Sequence, residues 1–343
     1  MSSLKKSSFA WGAAETKFFF ALTPEHILRA AESFGARCTG RCLTLNSMEN
    51  RVFEVEVEDA DGDLADWSPT RRVIKFYRPG RWSREQILDE HRFLADLDEA
   101  GLTVVAPLRD ADGATLRVMD RAGIYYALFP RVAGRNADEF TDEQLKQIGR
   151  LLARLHNTAA VRPHTGRLAL TAATYGMENL EYLYDSGTLP DDIADDYADL
   201  VEDICAWTAP LLAAAHGQRI HGDCHLGNVL WRADLPFLVD FDDTVSGPCV
   251  QDIWLLVPGR DRDADRQRQI LLAAYESLRA FDRAELALTE PLRALRYVHF
   301  SAWTAKRWRD PAFPRAFPHF TDRNYWRDQL LDLRECYDLM RQA

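Results

Sequence analysis

The residues best suited to chemistry lie in His221-Gly222-Asp223-Cys224-His225-Leu226-Gly227-Asn228 and in Phe237-Leu238-Val239-Asp240 shortly after it. Asp223 precedes Asn228 by five positions, and Asp240 ends an apolar run. Phosphoryl transfer calls for this set of groups. One carboxylate takes the acceptor hydroxyl's proton, while an amide and a second carboxylate hold Mg²⁺ against nucleotide phosphates. The spacing therefore points to an ATP-dependent phosphotransferase.

Neighbouring residues offer other readings. Cys224 would need a base and an activated thiolate to act as a nucleophile. His225 is adjacent in sequence, but the metal-type Asp and Asn fit better. Asp242 and Asp243 are expected to be caps or solvated turn residues rather than metal ligands.

These groups need elements to position them. Val73-Ile74-Lys75-Phe76-Tyr77 reads as a strand, and Phe53, Val55 and Val57 alternate with Glu54, Glu56 and Glu58 as a half-exposed one. Ser83 with Gln86 forms a capping-box pattern, opening a helix that carries Ile87, Glu90, Leu94 and Leu97 on one stripe. Glu90 then faces inward, where an unpaired carboxylate is costly, and Lys75 is its expected partner. The alternatives are a solvated Glu90 at the stripe's edge, or Glu85 in its place. A strand lysine fixed by a helix glutamate is how kinases grip the α- and β-phosphates.

Elsewhere the pattern is plainer. Thr23-Pro24-Glu25 starts a helix that Gly35 ends, and Asp61-Gly62-Asp63 begins a polar connection. Residues 115–119 and 124–129 form a hairpin turning at Asp120-Arg121-Ala122-Gly123. Beyond Phe129–Arg135 strand signals nearly vanish, which sets a lobe boundary: 1–130 for nucleotide, 131–343 for catalysis and substrate. Thr141 with Gln144 caps a further helix, near whose end His156 reads as hydrogen-bonded rather than metal-bound. The acid-rich segment 185–203 reads as a solvated helix face, or else as a surface for a cationic substrate or basic peptide. The aromatics Trp303, Trp308, Phe313, Phe317, Phe320, Tyr325 and Trp326 read as core.

Composition narrows the classes. The chain has 343 residues, 47% hydrophobic and 28% charged, as a globular protein of about two domains does. A net charge of −11 argues against nucleic acid or an anionic membrane as partner. The six cysteines show no zinc spacing and read as reduced cytosolic thiols. No apolar run approaches the ~20 residues of a membrane span, and the N-terminus with Lys5, Lys6, Trp11-Gly12 and Glu15 lacks a signal-peptide core. A cytoplasmic monomer is expected.

Longer phrases then become telling. They are Leu45-Asn46-Ser47-Met48-Glu49-Asn50-Arg51-Val52, Lys75-Phe76-Tyr77-Arg78-Pro79, Arg81-Trp82, His221 to Trp231, Gly247-Pro248-Cys249-Val250-Gln251-Asp252 and Asp310-Pro311-Ala312-Phe313-Pro314. Through them nearly the whole chain resembles the bacterial stress-response kinase A family, within the aminoglycoside-phosphotransferase-like kinases. The resemblance implies an α+β, bilobal protein-kinase-like fold, with a small N-terminal antiparallel sheet lobe and a larger, mostly helical C-terminal lobe. It implies ATP- and Mg²⁺-dependent phosphorylation of serine or threonine on proteins, protecting cells under envelope or oxidative stress. Its catalytic base falls on Asp223 and its magnesium ligands on Asn228 and Asp240. Ser47 matches a serine associated with ATP and autophosphorylation, although it also suits a turn residue bonding its own backbone.

Two departures matter. The phosphate-covering stretch Asn46–Arg51 contains no glycine, and only eleven residues separate Asp240 from Asp252, too few for an activation segment. Asp252 is expected to cap a helix or to hold the catalytic loop. The short path keeps open a kinase of amine-bearing alcohols or aminoglycosides, and a nucleotide-binding scaffold is the non-enzyme alternative.

Overall fold

The computed structural model describes residues 11, 12, 19, 22–58, 70–119 and 122–342. Asp61-Gly62-Asp63, Asp120-Arg121, Lys5, Lys6 and Glu15 lie outside the described residues.

Helix α1 (Pro24–Glu32) begins at Thr23, whose hydroxyl accepts from the His26 N–H. Next come β1 (Cys38–Leu45), β2 (Arg51–Val57), β3 (Arg71–Phe76), α2 (Arg84–Glu99), β4 (Arg117–Met119) and β5 (Ile124–Pro130). The strands form one antiparallel sheet in the order β1-β2-β3-β5-β4. Val55, Ile74, Phe76 and Leu128 from the sheet cluster with Ile27 and Ala31 of α1. Paired on both sides, β3 holds Lys75 opposite Val52 and Ala127.

One expectation for β2 fails. Glu54 is buried, not outward, because Arg71 and Arg131 converge on its carboxylate at 2.5 and 2.6 Å. Alternation placed it on the wet face, and the two arginines supply the compensation a buried charge requires.

The remaining elements are α3 (Asp142–Ala159), α4 (Glu178–Asp185), α5 (Asp191–Ala214), β6 (Gln218–Ile220), β7 (Val229–Arg232), β8 (Leu235–Leu238), β9 (Val245–Gly247), α6 (Val250–Trp254), α7 (Arg262–Glu276), α8 (Thr289–Lys306), α9 (Ala312–Ala316) and α10 (Arg323–Gln342). Both expected capping boxes form, Ser83 with Gln86 and Thr141 with Gln144. The fold is α+β, with the antiparallel sheet early and helices dominating later.

Contacts divide the chain into two compact units. One comprises Lys17–Arg167 and Gln218–Asp282, and contains the sheet, α1–α3, the short pairs β6-β9 and β7-β8, α6 and α7. Within it α3 and α7 pack closely at Gly149, where an added Cβ would lie 2.3 Å from the Leu271 carbonyl oxygen. The other comprises Leu168–Gly217, Arg283–Ala343 and the N-terminal residues to Thr16, and is helical. There Phe313, Phe320 and Trp326 are buried, as the core reading expects, whereas Trp303, Trp308, Phe317 and Tyr325 are only half-buried at its edge. The acid-rich segment is largely the exposed face of α5, with Asp192 and Asp196 paired to Arg323 and Arg334 of α10.

Candidate active site

Ser47, Lys75, Glu90, Asp223, Asn228 and Asp240 all lie in the sheet-bearing unit. The segment 221–228 connects β6 to β7, and Asp252 holds its first turn. One Asp252 oxygen accepts from the His221 N–H at 2.9 Å and the other from the Gly222 N–H at 2.8 Å. Of the two structural roles expected for Asp252, loop anchor is the one observed. The first of these oxygens also lies 3.1 Å from His156 Nε2. Burial opposes charge on that ring, but the Cys249 thiol and the Asp252 carboxylate outweigh it and push its pKa up to about 10. His156 is therefore a hydrogen-bonded residue of α3, as expected. Gly222 adopts φ +84°, and an added Cβ would stand 2.2 Å from the Asp243 carbonyl oxygen. Only glycine fits there.

Asp223 is half-buried, 3.5 Å from His225 Nε2. His225 Nδ1 accepts from the Gly227 N–H, so in the neutral ring Nε2 carries the proton and faces Asp223. Cys224 is fully buried, and burial, with Asp252 and Asp223, pushes its thiol well above the usual range. That is the reverse of an activated nucleophile. The Asn228 amide donates to the Asp223 carbonyl oxygen at 2.9 Å, leaving Oδ1 as its acceptor. Asn136, just past β5, donates to the Gly227 carbonyl oxygen at 2.7 Å, and Arg135 bridges to Trp231 of β7.

Asp240 follows β8 with φ +61° and ψ +64°, a left-handed conformation rare for a residue other than glycine. Such strain persists where surrounding structure enforces it, commonly at functional sites. The His221 ring enforces it here, since Nε2 bonds the Val239 carbonyl oxygen at 3.0 Å and the ring packs on Phe241. The Asp240 side chain remains 57% exposed, with Lys75 Nζ at 3.6 Å. Asp240 and Asn228 thus offer oxygen donors only, which suits a hard cation such as Mg²⁺ that takes few protein ligands beside phosphate. Among the described residues no cluster of three His, Cys, Asp or Glu could hold a metal by itself.

The structure brings Lys75 and Glu90 together, but in a larger network. Lys75 Nζ lies 3.6 Å from Glu90 Oε1 and 2.9 Å from Asp242 Oδ1. Burial favours the neutral amine, yet Asp242 and Glu90 outweigh it and hold Lys75 well above its ordinary pKa. Glu90 has its shorter bond with Arg167, at 2.8 Å. Burial raises the Glu90 carboxyl, and Lys75 and Arg167 offset this only in part. Glu85, the weaker candidate, is exposed.

Asp242 and Asp243 depart from expectation. Asp242 is buried between Lys75 and Arg81, with Arg81 Nη1 at 2.5 Å from its second oxygen, and Arg81 Nη2 pairs with Asp243. Neither is a helix cap or a freely solvated turn residue. Arg167 Nη1 also bonds the Asp242 carbonyl oxygen at 2.6 Å. Asp89 on α2 positions Arg167 by accepting from the backbone N–H groups of Thr165, Gly166 and Arg167 at 2.8–3.1 Å. Sequence reasoning missed Arg81, Arg167 and Asp89. Arg81-Trp82 was a visible signal, and each guanidinium packs over the Trp82 ring.

Ser47 is half-buried in the turn between β1 and β2, and its hydroxyl makes no hydrogen bond among the described residues. The self-bonding turn reading is therefore not what is seen. Arg78 organises that turn. Its Nε bonds the Glu49 carbonyl oxygen at 2.7 Å, Nη2 the Met48 carbonyl oxygen at 3.2 Å, and its N–H donates to Asn50 Oδ1 at 3.0 Å.

The phosphotransferase enzyme family, APH, matches residues 43–289. The chain is 38% identical over 309 residues to stress response kinase A of Escherichia coli K12, covering 90% of each chain. It is 38% identical over 316 residues to the serine/threonine protein kinase RdoA of Salmonella typhimurium LT2, covering 91% of each. In fold it is similar to an amicoumacin kinase solved in complex with AMP-PNP, Ca²⁺ and Ami (TM-score 0.68, 19% identity, 87% of this chain and 91% of the other). A spectinomycin phosphotransferase solved with ADP and spectinomycin is similar too (TM-score 0.63, 14% identity, 90% and 98%). No helix among the described residues is long and apolar enough to cross a membrane.

Proposed function

The chain belongs to the phosphotransferase enzyme family, and from that membership we propose that it is an ATP- and Mg²⁺-dependent serine/threonine protein kinase of the stress-response kinase A type. The observation that carries the reading is the approach of Lys75 to Asp240, Glu90 and Asp242 beside the anchored loop of Asp223 and Asn228. In this reading residues 1–130 serve the nucleotide and 131–343 carry catalysis and substrate. Lys75 grips the α- and β-phosphates, and Glu90 fixes Lys75. Asn228 and Asp240 hold Mg²⁺, which when bound neutralises charge on the phosphates. Asp223 orients the acceptor hydroxyl and takes its proton, and His225 steadies that carboxylate. Ser47 contributes its hydroxyl to the phosphate-covering turn and is a candidate for autophosphorylation. The enzyme acts as a cytoplasmic monomer and protects cells under envelope or oxidative stress.

A second reading rests on one observation. The path from Asp240 to Asp252 is filled by a single helical turn, β9 and the start of α6, with no extended segment to seat a peptide. This favours a small amino-alcohol or aminoglycoside-like acceptor. Labelled ATP supplied to purified protein with cell extract separates the two. Label on protein serine or threonine, absent with Asp223→Ala, supports the first; label confined to metabolites overturns it.

A further inference from the structure

We propose that Arg81 is a positioning residue that latches the glycine-free turn 46–50 to the carboxylates following Asp240, thereby setting nucleotide affinity rather than the rate of phosphoryl transfer. This rests on the reading of the site as a nucleotide-dependent phosphotransferase and deepens it.

Arg81 follows β3 in Arg78-Pro79-Gly80-Arg81-Trp82, and its side chain is 3% exposed. Three carboxylates from two distant segments converge on it. Nη1 lies 2.5 Å from Asp242 and 3.4 Å from Glu49, and Nη2 pairs with Asp243. Burying a guanidinium is costly, and only close, well-aligned pairing offsets that cost. Its planar fork holds two nitrogens apart in a fixed geometry, one aimed at Asp242 and Glu49 and the other at Asp243, and the single nitrogen of an ammonium cannot reproduce that spread. Glu49 is in turn held by Arg78, whose Nε lies 3.2 Å from its carboxylate. One side chain therefore joins the turn expected over the phosphates to the turn that carries Asp240.

The consequence for nucleotide follows from order. A turn without glycine cannot easily flex down on its ligand, so it must be placed beforehand. Arg78 shapes the turn and Arg81 places it. Without Arg81, binding has to restrain the turn, and that ordering cost appears as weaker affinity. Asp242 would also lose one of its two cations and hold Lys75 more tightly, away from phosphate. The loop bearing Asp223 is anchored separately by Asp252, so the chemical step is left largely intact.

The test measures calorimetric affinity for Mg-AMP-PNP, together with KM for ATP and kcat, in Arg81→Lys, Arg81→Gln, Glu49→Gln and the Glu49→Gln/Arg81→Gln pair. Wild type must first bind the nucleotide and transfer phosphate; failure there sinks the functional reading itself. Given that activity, Arg81→Lys should weaken nucleotide binding and raise KM by ~10-fold, about 1.4 kcal/mol, while kcat stays within ~3-fold. Glu49→Gln should weaken binding less in the Arg81→Gln background than in wild type, because the two changes share the Arg81–Glu49 contact. If Arg81→Gln does not fold, Glu49→Gln should still raise KM at constant kcat. Wild-type affinity in both Arg81→Lys and Glu49→Gln, or a fall in kcat at constant KM, would overturn the proposal.

Discussion

The turn 46–50 and the loop 221–228 meet the same difficulty in opposite ways. Each is irregular backbone whose polar groups must be held in one arrangement. The loop presents N–H groups inward, and the buried anion Asp252 gathers them. The turn presents carbonyls and the Glu49 carboxylate; the buried cation Arg78 gathers both, and Arg81 also holds Glu49. The sign of the anchor follows which half of the peptide group faces inward. The loop's anchor can be titrated through His156, whereas on the turn's side burial opposes charge on Arg81, but Asp243, Glu49 and Asp242 outweigh it and hold it above its ordinary value.

Removing each anchor should separate the two regions. Asp252→Ala leaves two backbone donors and the His156 ring without their carboxylate, so it should lower unfolding free energy by about 3–5 kcal/mol in a denaturant titration. A loss under about 1 kcal/mol would mean that the loop is held by something else. Arg78→Ala should cost less, about 2 kcal/mol, since charged hydrogen bonds to carbonyls are each modest and the turn can partly hydrate. Its stronger signature should be weaker nucleotide binding with kcat preserved. A drop in kcat alone would erase the distinction between the regions.

The smallest effect is one of pH. His156 has its folded pKa raised, so its pairing with Asp252 contributes fully below the ordinary histidine value of ~6.5 and is lost as pH rises towards about 10. Stability measured from neutral pH upward should decline in wild type and decline less in His156→Gln. Asp89 is shifted the other way: burial opposes its charge, but His164 and the backbone N–H of Gly166 outweigh it and hold it far below the usual carboxylate range. Its grip on residues 165–167 is present above the ordinary aspartate pKa of ~3.9 and should fade only as pH falls below that.

Legibility in the sequence followed the range of the interactions. Asp223, Asn228 and Asp240 could be read because one short segment carries most of them, and type and spacing alone suggest the chemistry. Lys75 and Glu90 could be read because a capping box fixes the helical phase and the stripe then points Glu90 inward. Asp242 could not, because two acids in a row look solvated until cations from elsewhere reach them. Arg81 and Arg167 come from segments 161 and 75 residues away; Arg81 had only the adjacent Trp82 as a local sign, and Arg167 had none. Glu54 failed for the same reason: the alternation was right for the strand, and Arg71 and Arg131 overrode it.

The account turns on Asp223 as the group that takes the acceptor's proton while the nucleotide is held by other residues. Single-turnover transfer from γ-labelled ATP, set beside calorimetric binding of Mg-AMP-PNP, should be measured for wild type and Asp223→Ala. The expected result is a ~10²–10⁴-fold loss of transfer rate in the variant with nucleotide affinity retained. Transfer at the wild-type rate in Asp223→Ala would contradict it.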